Sequence, residues 1–156
     1  MSRETTPPAP ARRQRALLAA ALAAATIAAY WPALSAEFVT FDDPQYTLAN
    51  PHVRDGLSWA GVRWAFTQEY MANWHPLTWL SHMLDIDLFG KDASGPHAVN
   101  VGLHAANAVL LFLLLAGITS QLAPSFAVAA LFALHPVNVE SVAWVSQRKT
   151  LLATGF

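Results

Sequence analysis

The run from Ala16 to Leu34 carries no charged side chain, and it constrains this sequence more than any other feature. It is close to the ~20 apolar residues a helix needs to cross ~30 Å of hydrocarbon. A second run, Ala98 to Thr119, ends in the unbroken apolar stretch from Val109 to Leu115, and a third spans Leu122 to Leu134. With 54% hydrophobic and only 12% charged residues, the chain does not have the composition of a soluble domain. A net charge of -1 gives no argument for a nucleic-acid partner, and the absence of cysteine excludes a disulfide framework and thiolate chemistry. The expected fold class is an all-α membrane protein with three transmembrane helices, the start of a fourth, and a structured external loop containing short amphipathic helices.

Residues 1–15, with Pro7, Pro8, Pro10 and the cluster Arg12, Arg13, Arg15, are expected to form a basic disordered leader on the cytoplasmic side. Residues 16–34 then cross the membrane. A cleaved signal peptide is the rival reading, because Ala33-Leu34-Ser35 offers small residues behind a basic and an apolar region. Residues 35–97 form a long polar loop, and its excess of acids over bases suits an external position. Within it, Ser58 is predicted to cap a short helix whose Trp59, Val62 and Phe66 share a face. The segment from Trp74 to Phe89 is predicted as a second helix, lying along the membrane. Its Leu77, Leu80, Leu84 and Leu88 make one stripe, and His75, Thr78, His82 and Asp85 make another.

Residues 98–119 are the second predicted span. Asn100, His104 and Asn107 continue a polar stripe begun by His97, and lipid would not tolerate that face, so it is expected to point into a helix bundle or polar cavity. The short turn from Gly117 to Pro124 makes residues 122–134 an antiparallel third span, ended by His135-Pro136. Counting crossings from a cytoplasmic N-terminus puts the 35–97 loop and the motif at residues 135–140 outside. Residues 141–156 are predicted to begin a further apolar helix that stops before it is complete, so the reading frame is expected to continue.

The chemistry-bearing feature is the adjacent pair Asp42-Asp43, just after the first span. Neighbouring carboxylates repel, and a chain that keeps them at such a position can use one as a base, a ligand or an ion partner. A helix end followed by a solvated acidic turn, punctuated by Pro44, accounts for the same residues. The histidines and acids would supply ligands for a divalent ion, but none of their spacings matches a metal signature, and no cofactor is expected as a requirement. No serine sits in a nucleophile elbow. Arg148 and Lys149 can hold a phosphate group, and snorkelling at a membrane boundary explains them equally well.

Several blocks together resemble one family: Phe38 to Tyr46, Asn50-Pro51, Asn73 to Asp85, Leu88-Phe89-Gly90, Asn100 with His104 and Asn107, and His135 to Val145. It comprises the multi-span membrane proteins that carry C-terminal tetratricopeptide repeats and are related to the protein O-mannosyltransferases and the wider GT-C glycosyltransferases. The resemblance implies a partial GT-C fold and a transferase that moves a mannose-like sugar from a polyprenyl-phosphate carrier to a hydroxyl of an acceptor protein. Membrane lipid and acceptor protein are the further partners so implied. The place implied is the bacterial inner (cytoplasmic) membrane, with the active face outside.

By the same resemblance, Phe41-Asp42-Asp43 is similar to the Phe-Asp-Glu motif of the protein O-mannosyltransferases, with Asp42 as base and Asp43 as its acidic partner. His75, His82, His135 and Glu140 become candidate substrate-binding residues, with Arg148 and Lys149 candidates for the departing phosphate. Thr150 departs from the pattern, since an aspartate is expected after the Arg-Lys pair. A membrane scaffold that anchors partner-binding repeats is the competing reading, and a metal-dependent membrane enzyme or transporter is a third.

Overall fold

A computed structural model describes residues 9–155, and the side chains of residues 12–155. Residues 1–8 of the expected leader lie outside the described residues, whereas residues 9–15 are helical rather than disordered. They extend α1, Ala9–Tyr30, because alanine, leucine and arginine are strong helix formers and nothing breaks the run. Pro32 ends it by entering a 3-10 turn, Trp31–Ser35. Leu22, Thr26 and Tyr30, four residues apart, form the buried edge of α1.

The remaining helices are α2 (Asp43–Tyr46), α3 (Trp59–Thr67), α4 (Pro76–Phe89), α5 (Ser94–Thr119), α6 (Leu122–Leu134), α7 (Asn138–Ala143) and α8 (Arg148–Thr154). A second 3-10 turn, Val145–Gln147, joins α7 to α8. Among the described residues there is no strand, only an isolated bridge between Tyr70 and Asn73. Ser58 caps α3 as its sequence predicts, its hydroxyl accepting from the Gly61 N–H at 3.0 Å. α5 starts four residues before the predicted Ala98. The Asp92 carboxylate accepts from the Ser94 N–H at 2.9 Å, and Pro96 is tolerated because first-turn N–H groups need no helical partner.

α1 and α5 run antiparallel. Arg15 donates to the Ala116 carbonyl at one end, and the Tyr30 ring meets His104 at the other, with centroids 5.2 Å apart. Between those ends Leu22 packs with Ala108, Phe112 and Ala116 of α5 and with Ala129 and Ala133 of α6. The small residues let the helix backbones approach closely, the usual basis of association in a lipid environment.

Among the described residues, two helical stretches are long and apolar enough to cross a membrane, Arg12–Ser35 and Ser94–Thr119. α6 is apolar but, with 13 residues, rises only about 20 Å against ~30 Å of hydrocarbon, shorter than the two membrane-length helices. It ends partway along α5, where His104 Nε2 lies 2.9 Å from the Ala133 carbonyl. Beyond it, residues 141–155 are not one helix. The chain breaks at Trp144, whose extended backbone separates α7 from the 3-10 turn.

The α5 polar stripe explains how this broken backbone is accommodated. Asn100 Nδ2 donates to the Val142 and Trp144 carbonyls, and Asn107 Nδ2 donates to the Leu151 carbonyl. Irregular backbone at membrane depth is tolerated only where protein satisfies its polar groups, and the stripe supplies those partners. The predicted inward orientation of that face is therefore observed, with all four of His97, Asn100, His104 and Asn107 buried.

α3 and α4 pack on each other around Tyr46, Val53, Ala65, Trp79 and Met83, and α4 also meets α5. α4 is turned so that Thr78, His82 and Asp85 are buried, while Leu77, Leu84 and Leu88 are exposed. Its polar stripe faces inward because the partners for those groups, described next, lie inside.

Candidate functional site

The two neighbouring carboxylates have opposite environments. Asp43 is fully buried, and each of its oxygens accepts one backbone N–H: Oδ2 from Val39 at 2.9 Å and Oδ1 from Ser146 at 2.8 Å. It thereby ties the loop after the first span to the 3-10 turn before α8, 103 residues away in sequence. The aromatic rings of Phe41 and Trp144 meet beside this tie, with centroids 6.3 Å apart.

Asp42, the N-cap residue of α2, remains partly exposed. Among the described residues its carboxylate has neither an ion-pair partner nor a hydrogen bond. The neighbouring Gln45 side chain, with its amide oriented to satisfy the local groups, donates to the carbonyls of Phe41 and Asp42 instead. The result is one anchored carboxylate and one free carboxylate on the same rigid turn.

Arg148 is also fully buried. Its Nε donates to Asn100 Oδ1 at 2.8 Å, Nη2 to the Pro96 carbonyl at 2.9 Å, and Nη1 to Ser81 Oγ at 3.3 Å while forming an ion pair with Asp85. The guanidinium thus joins α4, α5 and α8, with every nitrogen occupied by a protein acceptor. Lys149, next in sequence, points elsewhere. Its ammonium lies 3.4 Å from the Tyr46 hydroxyl and 5.2 Å from the centre of that ring, is partly exposed, and forms no ion pair among the described residues.

His75 and His82 flank the same tyrosine. Ring centroids are 5.6 Å apart for Tyr46 and His75, and 6.2 Å for Tyr46 and His82. Burial, reinforced by the Lys149 ammonium, lowers the His75 pKa to about 4. Burial also lowers His82 to about 4, opposed by the nearby Asp85 carboxylate, whose oxygen lies 3.7 Å from His82 Nδ1. Both rings are therefore neutral near pH 7. Among the described residues, no three histidine, aspartate or glutamate side chains converge as ligands for a metal ion.

His135 and Glu140 stand apart from this cluster. Both are exposed; His135 Nδ1 accepts only from the Val137 N–H, and the His135 ring lines an apolar cleft of about 490 Å³ with Leu131 and Leu134. Of the residues proposed from sequence, the structure thus gathers Asp42, Asp43, His75, His82 and Lys149 in or around α2, while Arg148 lies between α4, α5 and α8. Tyr46 and Asn73, which complete that group, were not singled out as site residues. The available signal was spacing, since Tyr46 follows Asp42 by one helical turn.

An all-helical chain with membrane-length segments, and a carboxylate held free beside the end of the first, has the architecture of a membrane-embedded enzyme or anchor. Comparison with known proteins narrows this class. The chain is 37% identical to mouse protein O-mannosyl-transferase TMTC1 over 162 residues, covering 93% of itself and 17% of that protein. The corresponding figures are 34% identity, 92% and 18% for human protein O-mannosyl-transferase TMTC1, and 32%, 80% and 14% for fly protein O-mannosyl-transferase Tmtc2. The chain is thus homologous, along nearly all of its own length, to the protein O-mannosyl-transferases, and it spans less than a fifth of the length of these relatives. No family model matches the chain, and no solved structure does. These relatives are animal proteins, so they give no support to the bacterial inner membrane expected from sequence.

Proposed function

We propose that this chain forms part of a membrane glycosyltransferase that transfers a mannose-like sugar from a polyprenyl-phosphate carrier to a hydroxyl of an acceptor protein, with Asp42 as the general base. The observation that carries this reading is the division of the acid pair. Asp43 is anchored by two backbone N–H groups, and that anchoring presents the unpartnered Asp42 carboxylate on a fixed turn close to a membrane-length helix. Homology to proteins named as protein O-mannosyl-transferases supports the reaction class.

In the proposed step the acceptor oxygen attacks the anomeric carbon as Asp42 removes its proton. The carbon–oxygen bond to the carrier phosphate breaks, and its electron pair leaves with the phosphate. The anomeric carbon inverts, and no second carboxylate base is required. Asp43 acts as a positioning residue in this scheme. The Arg148 guanidinium, already occupied by Asp85, Asn100, Ser81 and the Pro96 carbonyl, serves to hold α4, α5 and α8 together. The reaction takes place at the membrane face to which the loop before α5 belongs.

The test is transfer from a radiolabelled polyprenyl-phosphate mannose to acceptor protein by the purified full-length protein. Asp42→Asn keeps the side-chain shape and removes its basicity, and turnover is expected to fall ~10²- to 10⁴-fold while the protein remains folded. Transfer by Asp42→Asn at the wild-type rate would overturn the assignment and favour the scaffold reading.

A further inference from the structure

We propose that Tyr46, one helical turn from Asp42, is a positioning residue that holds the Lys149 ammonium, and that Lys149 receives the phosphate of the polyprenyl carrier. This rests on the glycosyl-transfer reading above and assigns the leaving-group side of the same site.

The placement begins with α2. Asp42 and Tyr46 bracket its single turn, with the Tyr46 N–H donating to the Asp42 carbonyl at 3.1 Å. Residues four apart on a helix lie on one side, with Cβ atoms about 5–6 Å apart. Tyr46 is almost completely buried, and its ring is wedged against Trp79 and His75, at centroid distances of 4.8 Å and 5.6 Å. Its hydroxyl therefore has a fixed position. Two donors meet that oxygen, Lys149 Nζ at 3.4 Å and Asn73 Nδ2 at 3.3 Å.

A phenol oxygen accepting from two donors still has its own proton to give. Among the described residues the Tyr46 hydroxyl proton has no acceptor, and the Lys149 ammonium has no carboxylate. The buried Nε2 of His75, beside the same ring, also has no partner. A partly exposed ammonium that is held in place and has no carboxylate partner is what a phosphate oxygen requires. Arg148 cannot take this part without abandoning a buried ion pair, whereas Lys149 needs no rearrangement. Tyr46 thereby brings the free cation to the same α2 turn that carries the proposed base.

The experiment measures binding of farnesyl phosphate to the full-length protein, with farnesol as the control lacking phosphate, and is run beside the transfer assay. Wild type is expected to prefer farnesyl phosphate about tenfold or more, as charge-assisted hydrogen bonds to one phosphate predict. Lys149→Gln should abolish that preference, and Lys149→Arg should recover part of it. Tyr46→Phe keeps the ring and its packing, so it should leave thermal stability unchanged while reducing the preference at least threefold. The double variant should bind no more weakly than Lys149→Gln alone, because Tyr46 acts through Lys149.

Absence of a phosphate preference in wild type, its persistence in Lys149→Gln, or multiplication of the two losses in the double variant would overturn the inference. Asp42→Asn should keep the preference while losing transfer. Transfer by Asp42→Asn at the wild-type rate would remove the base assignment and leave the phosphate result standing.

Discussion

At the scale of single residues, the site depends on which of two sequence neighbours faces inward. Successive residues on a helix point in directions about 100° apart, so Asp42 and Asp43, or Arg148 and Lys149, need not share an environment. In each pair one member is buried among protein partners and the other is left to face outward. The same logic gives His82 a measurable signature. Its ring is fully buried, and burial lowers its pKa from 6.5 to about 4. Between those values the unfolded chain binds a proton that the folded protein refuses. The associated stability is complete above pH 6.5 and is lost as pH falls towards 4. Thermal unfolding in detergent from pH 8 to pH 4 should show a falling Tm across that window, with a smaller fall in His82→Gln. Identical pH profiles for the two proteins would show that His82 does not govern it. His75 shifts in the same direction and should leave a residual slope in the variant.

At the scale of elements, α3 and α4 are fixed to each other by a small joint. Gly56 has φ +78°, and the next residue, Leu57, donates its N–H to Asp87 Oδ2 at 2.9 Å. A Cβ on Gly56 would lie 2.0 Å from Asp87 Oδ1, and its backbone angle also disfavours any residue with a side chain. Gly56→Ala is therefore expected to cost about 1–3 kcal/mol, read as a lower Tm for the purified protein. An unchanged Tm would show that this joint does not hold the element pair. α4 also shows why periodicity found its two stripes without fixing their environments. An apolar stripe can face lipid as readily as a core, and Asp85 had to turn inward to meet Arg148.

For the whole molecule, the contact of Arg15 with Ala116 places the start of α1 beside the end of α5, opposite to the end that carries α2 and the Asp43–Ser146 tie. Since the chain has no cysteine, single cysteines at Gln45, Gln121 and Asn138 report their positions without background. With the N-terminus inside, an impermeant maleimide should label position 45 in intact cells and spare position 121. Position 138 should label with position 45, because its segment leads into the turn that binds Asp43. Labelling at 121, or protection at 45, would reverse the topology. A protected 138 beside a labelled 45 would show that α6 ends within the bilayer.

The sequence by itself determined the helical class, the limits of α6, the Ser58 cap and the inward direction of the α5 polar stripe. Each follows from local propensity or from the cost of exposing polar groups to lipid, and neither depends on distant contacts. Tertiary structure decided that the segment after residue 141 breaks at Trp144. It also decided which carboxylate is anchored and which cation is occupied. The partners that settle those choices lie far along the chain, Ser146 for Asp43 and Asp85 with Asn100 for Arg148, and no local pattern encodes them.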